Sequence, residues 1–126
     1  MTRVPRDRAP AREAPPELLV QQKWEAFCAW LLPHADHWPK AARFTLAQRV
    51  QNHALDILEL VIVARYEPGR RRDALAQVNR RLERMRHLFR IARATDAMPL
   101  AGFETAMRGV DEVGRMAHGW REAGRA

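Results

Sequence analysis

Nine arginines fall within one stretch: Arg70, Arg71, Arg72, Arg80, Arg81, Arg84, Arg86, Arg90 and Arg93. Only Asp73 and Glu83 oppose them there. A guanidinium offers a planar fork of donors that matches phosphate and carboxylate oxygens, and it stays charged at any physiological pH. The chemistry open to this cluster is polyanion binding, where each neutralised phosphate steepens the salt dependence. These nine residues form the candidate nucleic-acid-binding set. The plainer reading is a solvated helix face, or a face paired with Glu104, Asp111, Glu112 and Glu122 further along the chain. The residues alone leave both readings open.

Other reactive residues carry less. His34 and His37 flank Asp36 in "HADH", a pair of imidazoles and a carboxylate with ligand chemistry but no second half to complete a metal site. That segment reads as a surface loop, and no metal is assigned. His53 and His118 stand alone in helical segments, on a surface or in an interhelical hydrogen bond. The chain contains no serine. Its one cysteine, Cys28, sits among Phe27, Trp30 and Leu31 and reads as a small buried hydrophobe. "EPGRRRD" lacks the spacing of a phosphate loop. Without a nucleophile and base in a recognisable frame, no catalytic residue and no cofactor are assigned, and the chain reads as a non-enzyme. Of the tryptophans, Trp24 and Trp120 read as core, and Trp38 beside Pro39 as the one expected to be partly exposed.

The elements that position the arginines follow from periodicity. Leu75, Val78, Leu82, Met85, Phe89 and Ala92 alternate steps of three and four, the signature of a bundle seam. With Leu82 at the centre of that seam, Arg86 and Arg93 fall on one flank, with Arg72 and Arg90 just beyond. Arg70 and Arg81 fall on the other flank, and Arg80 and Arg84 point away. Three more helices are expected. The first spans Glu17 to Leu32, with Leu18, Leu19, Trp24, Phe27, Cys28, Leu31 and Leu32 as core candidates, and is ended or kinked by Pro33. After a connecting segment, Thr45 and Gln48 form a capping-box pattern opening the second. Its stripe is Leu46, Val50, Ala54, Ile57, Leu58, Val61 and Ile62, widened by Leu55 and Leu60, and it ends at Arg65 or Tyr66 before "EPG". The last runs from Leu100 to Glu122, with Phe103, Met107, Val110, Val113, Met116, Ala117 and Trp120 on one side. Its glycines cost helix stability but permit close approach of a neighbour. No strand pattern is present. The fold class is all-α, an up-down-up-down four-helix bundle.

The chain has 126 residues, which suggests one domain, divided into a Pro/Arg-rich disordered tail over 1–16 and a bundle over 17–123. The formal net charge of +7 favours nucleic acid or another anionic surface as partner. Lys23 and Lys40 are the only lysines among 22 basic residues, a skew that codon composition also produces. The charge is therefore more informative than the choice of arginine. No apolar run is long enough to span a bilayer, and the basic N-terminus lacks the apolar stretch of a secretory signal, so no membrane role and a cytoplasmic location are expected.

Three phrases together resemble one family: "WLLPHADHWPKAARFTLAQRVQNHALDILELVIVA", "LERMRHLFRIA" and "VDEVGRMAHGW". Their strongest points are W-L-L-P-H, P-K-x-x-R-F-T-L-x-Q-R and G-R-M-x-x-G-W, in that order. The chain is similar over about residues 24–120 to the accessory variability determinant (Avd) proteins of diversity-generating retroelements, relatives of the four-helix-bundle proteins of ribosomal RNA intervening sequences. The resemblance implies a barrel-like homo-oligomer, a pentamer, that binds RNA and DNA. It also implies a reverse transcriptase as partner and a supporting, non-catalytic role in mutagenic reverse transcription. The alternative is a protein-interaction scaffold with no intrinsic nucleic-acid affinity. The matching positions are core and turn residues. The N-terminal tail lies outside the resemblance, and Pro99 stands where a capping serine is expected.

Overall fold

The computed structural model describes residues 15–124, so the expected tail lies, up to residue 14, outside the described residues. Helix α1 spans Pro16–Asp36, α2 Lys40–Ala42, α3 Gln48–Tyr66, α4 Arg71–Ala94 and α5 Leu100–Ala123. A π-helical turn, Arg43–Ala47, joins α2 to α3, and a 3-10 turn, Pro68–Arg70, joins α3 to α4. No strand occurs among the described residues. The four long helices pack in a closed circuit: α1 against α3 and α5, and α4 between α3 and α5. Short connections between neighbours make this an up-down-up-down four-helix bundle.

The seam of α4 is the dry centre. Leu75, Val78, Leu82, Met85, Phe89 and Ala92 are all fully buried. Burying each of the larger ones stabilises the fold by about 1.5–3 kcal/mol, before the conformational entropy it must offset. Trp24 on α1 donates its indole N–H to the Ala54 carbonyl on α3 at 2.7 Å. The Cys28 thiol lies 3.6 Å from the same oxygen. Burial pushes that thiol up to about 11, with Glu25 adding to the shift, so it packs as the expected apolar group.

Several expectations need correction. Pro33 does not end α1, which runs on to Asp36. Proline takes the helical φ readily, and here its missing donor falls near the helix end, over exposed Ala29. The extra turn places His34, Ala35 and Asp36 on the helix, with His37 capping its end, and not in a surface loop. His34 stacks on Trp30, with ring centroids 4.6 Å apart. Trp38, expected to be partly exposed, is 2% exposed, and Trp30 is the half-buried one. The Trp38 backbone N–H bonds to Ala35 O, and its ring meets His34 edge-on at 6.2 Å, tucking it beneath the end of α1.

The capping box at Thr45 is also absent. Helical backbone already begins at Lys40, so the carbonyls of Arg43 and Thr45 receive the Gln48 N–H. Thr45 instead donates its hydroxyl to Ala42 O at 3.4 Å. The apolar stripe of α3 is narrower than the pattern implied: Leu55 and Ile62 remain exposed, whereas Ala47 and Ala64 are buried. In α1, Val20 and Ala35 join the core, while Leu18, Leu19 and Leu32 are only half-buried.

The α4–α5 turn closes as a Schellman motif. Ala97 N–H bonds to Ala92 O at 2.8 Å and Asp96 N–H to Arg93 O at 3.2 Å. Asp96 takes the left-handed conformation usually given to glycine there, at φ 62°. This turn buries Ala97 and Met98 in the core.

Along the α1–α5 contact, glycines make room for rings. A Cβ at Gly102 would stand 2.5 Å from the His34 ring, and one at Gly109 2.5 Å from the Phe27 ring. At Gly119 the space is empty. We therefore expect Gly109→Ala to lower stability by about 1–3 kcal/mol through overpacking that outweighs alanine's helix propensity. Gly119→Ala, with no clash, should raise it by up to about 1 kcal/mol. Thermal melts of the two variants check the opposite signs.

Candidate nucleic-acid interface

The nine arginines separate by what their guanidiniums touch. Four are built into the fold. Arg71 donates Nε to Ala64 O at 2.6 Å and Nη2 to Arg65 O at 3.3 Å, satisfying carbonyls at the end of α3. Its guanidinium also lies over the Trp120 ring at 5.3 Å. Arg81 reaches α3, where Nη1 donates to Asp56 Oδ2 at 3.1 Å and stands 3.2 Å from His53 Nδ1. Arg86 reaches α5, donating Nε to Asp111 Oδ1 at 2.8 Å, and also holds Glu83 at 2.8 Å. Arg93 donates to Met98 O at 3.1 Å and ties the end of α4 to the following turn.

The other five face outward. Arg70 pairs with Glu67 at 3.0 Å on the exposed 3-10 turn. Arg72, Arg80 and Arg84 are exposed, and none has an ion-pair partner among the described residues. Arg90 is exposed, and among the described residues its guanidinium hydrogen-bonds only to a nitrogen of His87, at 3.5 Å. The seam fixes this division, because residues next to it reach the adjoining helices and residues opposite it cannot.

The acids anticipated as partners contribute in part. Asp111 takes Arg86, and Glu112 pairs with Lys23 of α1 at 3.2 Å. Asp56 on α3 was not anticipated, since no spacing within one helix links it to Arg81.

A groove of about 380 Å³ runs between α4 and α5 beside Arg86, lined also by Asn79, Asp111, Gly114, Arg115 and His118. Gly114 admits the Arg86 fork: a Cβ there would stand 3.1 Å from Nη2. Arg115 and His118 are exposed on the far wall, extending the basic arc of α4 onto α5. The sequence reading missed these two, and only the rotation of α5 against α4 brings them alongside.

Two histidines titrate below the ordinary imidazole value. Burial lowers His34, with His37 adding to the effect. Burial lowers His53 too, reinforced by Arg81, Arg84 and Arg49 against an opposing Asp56. No cluster of three or more metal-ligating side chains occurs among the described residues. No helix among them is long and apolar enough to cross a membrane.

The fold and its charged face define a helical-bundle protein with an arginine-rich central helix. A family model described as bAvd-like matches residues 18–123. The chain belongs to the bAvd-like family, in agreement with its resemblance to the accessory variability determinants. Neither the curated proteins nor the solved structures gave a significant match.

Two predictions follow from this geometry. Arg86→Gln should cost about 1 kcal/mol, the upper range for a partly exposed pair, whereas Arg84→Gln should stay within about 0.5 kcal/mol of the parent in urea denaturation. For His34 and His53 the folded pKa lies below the unfolded one, so the unfolded chain binds more protons as the solution acidifies. Their contribution is complete above the ordinary imidazole value and is lost as pH falls through their lowered folded values. Melts across that range, with NMR titration of the two rings, check the sign.

Proposed function

We propose that the chain is a non-enzymatic accessory protein of a diversity-generating retroelement, holding nucleic acid on the outer arc of α4 beside the element's reverse transcriptase. The observation that carries the reading is the set Arg72, Arg80, Arg84 and Arg90, all exposed and without acidic partners among the described residues. Arg80 and Arg84 are like charges one turn apart, which costs an isolated helix a few tenths of a kcal/mol. A polyanion turns that cost into binding energy. Membership of the bAvd-like family supports the retroelement role.

The mechanism is electrostatic. The fixed helix presents the forks to successive phosphates of template RNA, and of DNA where it is engaged, with counterion release supplying affinity. A homo-oligomer multiplies the arc, so that several weak contacts hold one strand by avidity. The pentamer implied by the family resemblance is the form we propose. Exposed Leu55 and Ile62, seven residues apart on α3, support an apolar contact between copies. We place this work in the cytoplasm. Arg71, Arg81, Arg86 and Arg93 support the arc mainly by orienting α4, and Arg70 extends it at one end.

The test is fluorescence anisotropy with a labelled structured RNA over a salt series. The parent should bind submicromolar at low salt. Arg80→Gln, Arg84→Gln and Arg90→Gln together should weaken binding by about tenfold or more and flatten the slope of log K against log salt by about 0.7 per lost contact on a single strand. The melting temperature should hold. Unchanged affinity in the folded triple variant contradicts the assignment. No binding by the folded parent favours an interaction scaffold whose basic face meets an acidic protein.

A further inference from the structure

A second basic feature lies at one end of the bundle, where the α3–α4 turn meets the last turn of α5. A pocket of about 170 Å³ is lined by Pro68, Arg71, Arg72, Trp120, Arg121 and Gly124. Three of those six residues carry guanidiniums and none carries a side-chain carboxylate. The volume is below the roughly 300–1,000 Å³ of pockets that hold whole small molecules. It suits a single oxyanion with its water better than a nucleoside.

The three arginines are differently placed. Arg71 is fixed, by its bonds to Ala64 O and Arg65 O and by the Trp120 face, and Nη1 makes no hydrogen bond among the described residues. Arg72 is exposed and without an ion-pair partner among the described residues. Arg121 Nε is buried with no hydrogen-bond partner. An N–H of a charged group left without an acceptor is unfavourable, so an added acceptor beside Arg121 is favoured. The nearby carboxylates are turned to other groups: Glu67 to Arg70, and Asp73 to Gln77. Glu122 stands 3.8 Å from Arg121 Nη1, the longest of the ion pairs among the described residues, and leaves Nε bare.

We infer that this pocket is an oxyanion site for a phosphate group, held by Arg72 and Arg121 against a fork pre-positioned by Arg71 and Trp120. Bidentate guanidinium pairing with a tetrahedral oxyanion is the recognition chemistry, and the excess of positive charge favours a phosphomonoester dianion over a carboxylate. The phosphate comes either from the end of a nucleic-acid strand or from a free phosphoanion. The site shares Arg72 with the outward arc but lies apart from Arg80, Arg84 and Arg90, and phosphate binding in it does not depend on RNA held by those three.

Calorimetry of the full chain with inorganic phosphate tests it, supported by melts at millimolar phosphate, since a ligand that binds only the folded state raises Tm. The parent should bind and be stabilised. Arg72→Gln and Arg121→Gln should each bind about tenfold more weakly or worse, with melting temperatures in phosphate-free buffer close to the parent's. Arg71→Gln is unsuitable because that residue caps α3. The combined Arg80→Gln, Arg84→Gln and Arg90→Gln variant should keep full phosphate binding, which separates this site from the outer arc. Anisotropy with 5′-phosphorylated and 5′-hydroxyl copies of one RNA then identifies the source. A preference for the phosphorylated copy that disappears in Arg121→Gln assigns the strand end, and equal affinity assigns a free phosphoanion. No heat and no Tm shift in the parent, or phosphate binding unchanged in both single variants, overturns the site.

Discussion

The rotation of α4 about its own axis is the constraint on which the rest depends. Six apolar residues from Leu75 to Ala92 are fully buried, and a helix offers one orientation in which all of them face inward. Turning it to release any arginine from its direction would expose several of these side chains, at about 25 cal/mol per Å² of apolar surface. The charge pattern is therefore set by the core. Arg81 leaves the seam on the α3 side and meets Asp56, while Arg86 leaves on the α5 side and meets Asp111. Arg80 and Arg84 have no helix to meet.

The circuit is closed on the far side by different means. Between α1 and α5, rings enter the spaces left by Gly102 and Gly109, seven residues apart in the helix. Those positions give up helix propensity so that the axes can approach. The same contact holds His34 between Trp30, Trp38 and α5, with Nε2 buried and unpartnered. Protonating that ring adds charge where no acceptor waits, which couples bundle closure to acidity. The result is a scaffold rigid enough to aim side chains it does not itself need.

Much of this was legible in the chain. The alternation of threes and fours in α4 gives its seam residue for residue, because a heptad stripe has one reading when the helix is long and unbroken. The break at "EPG" and the buried Cys28 were legible for the same local reasons. The region from Pro33 to Gln48 was not. Proline and a Thr-x-x-Gln pattern both signal boundaries, but tertiary burial of Ala35 and Trp38 carries α1 past the first, and a π turn makes the second unnecessary. The candidate site was legible as a charge and not as a partition. Nothing in the spacing of Arg81, or of Arg115 and His118, tells which neighbouring helix lies alongside, and that information resides in the packing of α3 and α5 against α4.

The account comes down to a division of labour on one helix, with inward guanidiniums holding the bundle and outward ones meeting phosphate. The most direct measurement is NMR of the arginine Nε–Hε groups during titration with a structured RNA, which reads each guanidinium separately in the intact protein. The account predicts that the signals of Arg80, Arg84 and Arg90 move with RNA, while those of Arg81 and Arg86 keep their positions. Movement concentrated on Arg81 and Arg86, or no movement at the outer three while RNA is bound, would contradict it.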